Sequence, residues 1–217
     1  MARLKSRRLR IWQHDYMVHR YLWRNIESAV SKALQETTAK IPAVLDVGCG
    51  NKPYADLFTG CKYIGVDISD EDSSPDIIGS ATQIPVQDGF ADIVISTQVI
   101  EHVPEPLAMV RECHRVLKKG GFFILTGPFY WPLHEEPFDF YRFTKYGFEH
   151  LLKQANFSAW DIKEDGGNWA QFFLSANLIL NRRHVFLRTF LNSLGLVLDR
   201  VNFKKSSPSN YSILAKK

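Results

Sequence analysis

Two stretches of the chain hold residues whose types and spacing suit them to chemistry. In the first, "VLDVGCGNKPY", an apolar run leads into Asp46, Gly48 and Gly50, and the next apolar run, "YIGVDIS", ends in Asp67. Glycines at the exit of a strand let the backbone turn sharply and let a ligand approach main-chain atoms with no Cβ in the way. A carboxylate closing the following strand is suited to accept hydrogen bonds from ribose hydroxyls. The second stretch is "FYWPLHEEPFDFYRFT". His134, Glu135, Glu136, Asp139, Tyr141 and Arg142 supply proton-transfer and charge-pairing groups, set among Phe129, Tyr130, Trp131, Phe138, Phe140 and Phe143. Such a mixture can wall a pocket and place an acid or base in it.

These residues need elements to hold them. Val18, Leu22, Ile26, Ala29 and Ala33 recur every three or four positions, which predicts an amphipathic helix from Trp12 to about Ala39. After Pro42 come short apolar runs bounded by Gly, Asp, Pro and Asn: "AVLDVGCG", "YIGVDIS", "PDIIGS", "ADIVIST" and "GGFFILTGP". They read as buried strands of a mostly parallel sheet. Between the last two, a helix is expected to start at Pro104, bury Leu107, Val110, Cys113, His114 and Leu117, and end at Gly120 and Gly121. Another helix is expected behind Thr144 as N-cap, followed by a strand at "SAWDIKED", two helices within 169–201 and a closing strand at "NYSILAKK". Strands alternating with helices predict an α/β fold in one domain. Its parts are an N-terminal helix (1–40), a core with the polar-aromatic loop (41–168), a helical insertion (169–208) and a last strand (209–217).

Composition narrows the classes. A chain of 217 residues buries enough surface to fold without disulfide or metal, and 45% hydrophobic residues exclude a disordered or collagen-like chain. Cys49, Cys61 and Cys113 form no CxxC pair and no zinc-type spacing with histidine, so no metal is expected and a reducing cytoplasm is the default. The basic start runs into Trp12, Gln13, His14 and Asp15 where a signal peptide would need an apolar stretch. The apolar segments 172–180 and 185–198 fall short of a membrane span. Net charge is +4, unevenly spread: residues 1–24 carry seven basic and one acidic residue, 25–181 carry twelve and twenty-one, 182–217 carry eight and one. Basic ends around an acidic middle suit contact with an anionic surface, or are solvated helix faces.

A dinucleotide fingerprint would need glycine where Pro53 stands, and a phosphate loop ending in Gly-Lys-Ser/Thr is absent. What "VLDVGCGNKPY" resembles is the first motif of class I S-adenosylmethionine-dependent methyltransferases. The resemblance continues in order. "YIGVDIS" is similar to that family's ribose strand, "GSATQIPVQDGFADIVIST" to its adenine loop and fourth strand, and "QVIEHVPEPLAMVRECHRVLKKGGFFILTGP" to the exit, helix and fifth strand, together covering 43–128. It implies a Rossmann-like seven-stranded sheet with an antiparallel last strand, and S-adenosyl-L-methionine as cofactor. Asp46 with Gly48, Cys49 and Gly50 would border the methionine part, Asp67 the ribose, and Ile68 the adenine face. Ser80 and Ala81 would edge the ring, and Gln98 would lie beside the cofactor. Two departures stand out: Ser80 occupies a position where the family often has an acid, and "SDEDSSP" is too short and polar for the helix that usually links strands two and three.

Methyl transfer from a sulfonium asks the protein for alignment and exclusion of water, and for a general base where the acceptor is a hydroxyl or protonated amine. His134 is the candidate base and Asp139 its orienter or an alternative base; Tyr130, Trp131, Tyr141 and Arg142 are candidate acceptor contacts. His102 in "EHVP" reads as structural, and Cys49 as small-residue packing. The forms "GNKPY" and "HEEPFDFYRFT" resemble methyltransferases of bacterial surface-polysaccharide clusters, which points to a sugar hydroxyl. A lipid or quinone C-methylase peripheral to a membrane and a non-catalytic S-adenosylmethionine-binding module are the alternatives. Helices in 169–208 offer a homodimer surface, and nucleic acid is not an expected partner, since the basic ends lack interleaved aromatics.

Overall fold

The computed structural model describes residues 9–71, 73–180, 183–201, 204 and 206–217. The basic residues Arg3, Lys5, Arg7, Arg8, Arg182 and Lys205, counted in the charge of the two ends, lie outside the described residues. Seven strands form one sheet in the order β3-β2-β1-β4-β5-β7-β6. They are β1 (Ala43–Val47), β2 (Lys62–Asp67), β3 (Ile77–Ile78), β4 (Ala91–Thr97), β5 (Leu117–Pro128), β6 (Ala159–Asp165) and β7 (Asn210–Lys216). Pairs from β3 through β5 are parallel, and β7 runs antiparallel to both neighbours, β5 and β6. The strand order reverses between β1 and β4, and the turns after them form the carboxyl-edge crevice where open α/β sheets bind ligands.

Both faces of the sheet are covered, as near-continuous apolar strands require. On one face α1 (Tyr16–Glu36) lays Leu22, Ile26, Val30 and Ala33 against Val44, Ile93, Ile95, Phe122 and Ile124. On the other, α2 (Pro106–Val116) and α3 (Lys145–Gln154) bury Met109, Val110, Cys113, Phe148, Leu151 and Leu152 against Leu45, Val94, Phe123 and Leu125. Thr144 caps α3 as expected, its side chain accepting from the Gly147 N–H. Three boundaries differ from the expectation: α1 is shorter than Trp12–Ala39, running from Tyr16 to Glu36. Pro106, rather than Pro104, opens α2, with Glu105 as the flanking residue; both prolines suit a first helical turn, so the local signal does not choose between them. Leu117 begins β5 with no glycine stop between helix and strand, so Gly120 and Gly121 lie inside the strand.

The two helices between β6 and β7, α4 (Asn168–Ile179) and α5 (Val185–Val201), pack on each other and on α1. Buried polar contacts fix them there. Asp199 accepts hydrogen bonds from the Tyr21 hydroxyl and from the N–H groups of Gly167 and Ala170, satisfying buried donors at the start of α4 that have no partner within the helix. Asn192 donates to the carbonyls of Ile11 and Gln13, stapling α5 to the segment before α1. Between β2 and β3 no helix occurs among the described residues, in line with the polar "SDEDSSP". No helix among the described residues is long and apolar enough to cross a membrane.

Candidate functional site

The turn after β1 is shaped by its glycines. Gly48 (φ 72°) and Gly50 (φ 51°) are in the left-handed region, and a Cβ on Gly48 would stand 2.3 Å from Val99 Cγ2. The N–H groups of Gly48 and Cys49 both donate to the Val66 carbonyl in β2, and Gly50 N–H donates to Asp67 Oδ2 at 2.7 Å. Asp67 Oδ1 accepts the Ile68 N–H at 2.8 Å. The turn is thus locked to the end of β2 by the carboxylate that the sequence singled out. An ionised carboxylate has about four lone-pair sites, so one such group can serve backbone donors and ligand hydroxyls together.

Asp46, at the end of β1, is buried and accepts the Tyr63 hydroxyl; burial pushes its carboxyl up to about 7. Cys49 is buried and its thiol is raised to about 12 by burial, which suits packing and not nucleophilic attack. Gly65, which the sequence reading passed over, belongs to the same turn: a Cβ there would sit 2.6 Å from Cys49 Sγ and 2.6 Å from Lys52 Cε. Lys52 Nζ pairs with Asp76 Oδ2 at 2.7 Å, and the Gly65 N–H donates to the same oxygen, bracing β2 from outside.

Around the crevice, Ile68 is 74% exposed, an apolar face that a planar ring could cover. Ser80 Oγ bonds Thr82 Oγ1 and accepts the Thr82 N–H, so its side chain serves its own turn, while Ala81 packs on the core. Gln98 lies directly after β4 at φ 55°, its Nε2 donating to Thr126 Oγ1 of β5. The strand-exit residues Asp46, Gly48, Cys49, Gly50, Asp67, Ile68 and Gln98 therefore line one edge of the sheet. These features fit an adenosyl cofactor: a carboxylate at the end of β2 where a ribose would lie, an uncovered apolar contact for a base, and a turn with glycine at positions 48 and 50.

The loop between β5 and α3 is organised by one side chain. Arg142 donates Nη1 to Asp139 Oδ1 (2.6 Å) and Nη2 to Asp139 Oδ2 (2.7 Å), and donates also to the carbonyls of Trp131, Pro132 and Tyr141. Planar guanidinium makes such a fork possible. Arg142, expected as an acceptor contact, is engaged by the loop itself, and Tyr141 donates its hydroxyl to the Pro104 carbonyl. Tyr130 is exposed and Trp131 half-buried. Asp139 has a side chain only 1% exposed, and Arg142 beside it holds its carboxyl well below the usual carboxylate range, which favours an orienting role over that of a base. Asp139 Oδ2 accepts the His134 N–H at 3.0 Å and lies 3.2 Å from His134 Nδ1.

Glu101 and His102, in a 3-10 turn at Ile100–His102, meet this loop. The imidazoles of His102 and His134 stack edge to face at 4.8 Å, and His102 Nδ1 lies 2.8 Å from the Phe138 carbonyl. Glu101 is fully buried, its carboxyl raised to about 8 by burial, and neither oxygen has a hydrogen-bond partner among the described residues. From the sequence His102 reads as structural; the structure brings it, with Glu101, against the polar-aromatic loop. The one available signal was their adjacency after a cofactor-edge strand.

Comparison with known proteins gives the same frame. Residues 45–125 match the family described as Methyltransferase domain. A methyltransferase of Mycobacterium sp. (strain KMS) is 36% identical over 114 residues, 45% of this chain and 45% of that protein. The match thus spans less than half the length of that curated relative. Among solved structures, a SAM-dependent methyltransferase from Archaeoglobus fulgidus superposes with a TM-score of 0.58 at 20% identity, covering 92% of this chain and 97% of that one. A phosphoethanolamine N-methyltransferase 2 of Haemonchus contortus, solved with S-adenosyl-L-methionine, superposes with a TM-score of 0.58 at 16% identity over 89% of this chain and 52% of that one. At these identities the structural likeness speaks for the fold.

Proposed function

We propose that the chain, whose residues 45–125 match the methyltransferase domain family, binds S-adenosyl-L-methionine and methylates a hydroxyl of a small or medium polar acceptor of the sugar type. The observation that carries this reading is the turn after β1, where Gly48 and Gly50 keep the backbone open and the Asp67 carboxylate at the end of β2 clamps Gly50. Asp67 is assigned to the ribose and Ile68 to the adenine face. Asp46, Cys49, Gln98, Ser80 and Ala81 complete the boundary.

S-adenosylmethionine, when bound, supplies a methyl group already activated on a sulfonium. The chain's own residues then have two tasks. Tyr130 and Trp131 shield the approach and position the acceptor, and His134, held by Asp139, takes the acceptor's hydroxyl proton on a ring nitrogen. Asp139 steadies the imidazolium by charge, and Arg142 keeps Asp139 ionised and the loop in place. The density of polar groups around His134 favours a polyhydroxylated acceptor over a hydrocarbon one.

Calorimetric titration with S-adenosylmethionine, on wild type and on Asp67→Ala, tests the reading. The expected result is one site of micromolar affinity, weakened at least tenfold in the variant; absence of heat in the wild type overturns it. Turnover with radiolabelled methyl and a panel of glycans then separates an enzyme from a non-catalytic binding module.

A second reading, methylation of a lipid or quinone at a membrane surface, is favoured by one feature. Phe186, Phe190, Val197 and Val201 recur along one exposed side of α5, with Arg200 nearby. Sedimentation with anionic vesicles at low salt, lost at high salt, supports it; recovery in the supernatant at low salt excludes it. A concentration-dependent dimer in analytical ultracentrifugation would instead assign that row to a second copy.

A further inference from the structure

Glu101, His102 and His134 form the one cluster among the described residues in which three His, Cys, Asp or Glu side chains each present a ligand atom within 4.8 Å of the others. We propose that these three side chains are a binding site for a single divalent metal ion of the zinc class, set on the carboxyl edge of the sheet next to the turn after β4. Two nitrogens and one carboxylate are a common protein ligand set for zinc when one position stays open to solvent or substrate.

The argument begins with Glu101. Its side chain is fully buried, yet both carboxylate oxygens lack a hydrogen-bond partner among the described residues. Buried polar atoms are nearly always satisfied, so two orphaned oxygens on one residue call for an occupant. A cation is one occupant that satisfies both oxygens at once, in exchange for the proton that burial otherwise favours on this carboxyl. Glu101 Oε1 lies 3.9 Å from His102 Nε2, and Glu135 Oε2 lies 3.7 Å from the same nitrogen, available as a fourth ligand from the rim.

Each histidine is prepared for ligation. His102 Nδ1 faces the Phe138 carbonyl at 2.8 Å and must donate to it, which puts the lone pair on Nε2, the nitrogen that points at the two glutamates. A backbone carbonyl on the far nitrogen is the usual support for a metal-bound imidazole. His134 is held against the buried Asp139 carboxylate through its backbone N–H, and its Nδ1 makes no hydrogen bond; the ring that serves as base in the ion-free protein becomes a ligand once an ion is bound, and the acceptor's proton would then pass to the solvent at the open metal position. Bonds of about 2.1 Å in tetrahedral geometry place ligand atoms about 3.4 Å apart. The ligand atoms lie within 4.8 Å of one another, so each separation is at most about 1.4 Å longer than that spacing.

Metal-free protein prepared with a chelator is titrated with zinc in competition with a chromophoric chelator, and cobalt(II) is added in parallel to read coordination from its visible spectrum. The expected result is one ion per chain and a four-coordinate cobalt spectrum. Glu101→Gln, which preserves size, and His134→Ala should each weaken binding at least tenfold while thermal unfolding stays cooperative. No binding by the wild type, or binding of one ion that neither variant weakens, overturns the proposal. The metal readout needs no cofactor. S-adenosylmethionine heat measured on the same samples therefore lets the methyltransferase reading fail while the metal site stands, and the reverse.

Discussion

Removing the Arg142 guanidinium should open the acceptor loop without disturbing the cofactor crevice. In the structure this group makes five hydrogen bonds, two of them to a carboxylate whose side chain is 1% exposed. Breaking a buried ion pair by deleting one partner costs about 3–5 kcal/mol, because the other charge is left without compensation. The segment from Phe129 to Phe143 has no helix or strand, so it can absorb that loss by opening locally while the sheet stays folded. At about 1.4 kcal/mol per factor of ten, hydrogen-exchange protection in the loop should fall by roughly a hundred- to several thousand-fold, or to the unstructured rate if that is reached first. The reporting amides are His134, Phe138 and Phe140, which donate to Asp139 Oδ2, the Glu135 carbonyl and the Glu101 carbonyl. Exchange read by mass spectrometry on Arg142→Ala, with Arg142→Lys giving an intermediate value for loss of the planar fork, is the assay. Amides of β1 and β4 should be unchanged, and S-adenosylmethionine heat should stay within about threefold. A loop effect below tenfold would refute the reasoning and assign the loop's order to its aromatic contacts; equal loss in the sheet would show that the loop does not open on its own.

Gly48→Ala combines left-handed strain of about 1–2 kcal/mol with overpacking of about 1–3 kcal/mol against Val99. For a chain of this size that lowers the melting temperature by roughly 4–20 °C, whereas Gly60→Ala, also at positive φ but with nothing within 4 Å, should lose only the strain part, roughly 2–8 °C; equal losses by thermal scan would remove Val99 from the argument. Asp165 is buried with its carboxyl raised to about 7, chiefly by burial, even though Asn25 and Ser212 donate to it. Between the unfolded value near 4 and 7 the native state holds a proton that the unfolded chain has released, so stability falls as pH rises through that window and levels off above it. Asp165→Asn should flatten that decline, a difference on the order of 4 kcal/mol across the window in denaturant titrations at pH 4 and pH 8; an unchanged slope would assign it to other groups, Asp46 first.

The turn after β1 was legible because its instructions are local. Gly48 and Gly50 require backbone angles that other residues resist, and the apolar runs around them can be satisfied only inside a sheet covered on both faces. Alternation of such runs with amphipathic segments then left little freedom in topology, and the antiparallel pairing of "NYSILAKK" accords with the resemblance. Helix boundaries were less legible, since Pro104 and Pro106 carry the same local signal and only the packing of α2 chose between them.

Long-range pairing decided the rest. Asp139 and Arg142 are three residues apart, yet whether the arginine would meet a substrate or its own loop depended on where the carbonyls of Trp131 and Pro132 came to lie. Glu101, His102 and His134 come from segments separated by a helix and a strand, and no spacing rule relates them. Glycine patterns and hydrophobic periodicity are properties of neighbours along the chain, so the sequence by itself determined the sheet and its turn. The identity of a buried charge's partner depends on which surfaces the fold presses together, and only the tertiary structure decided that.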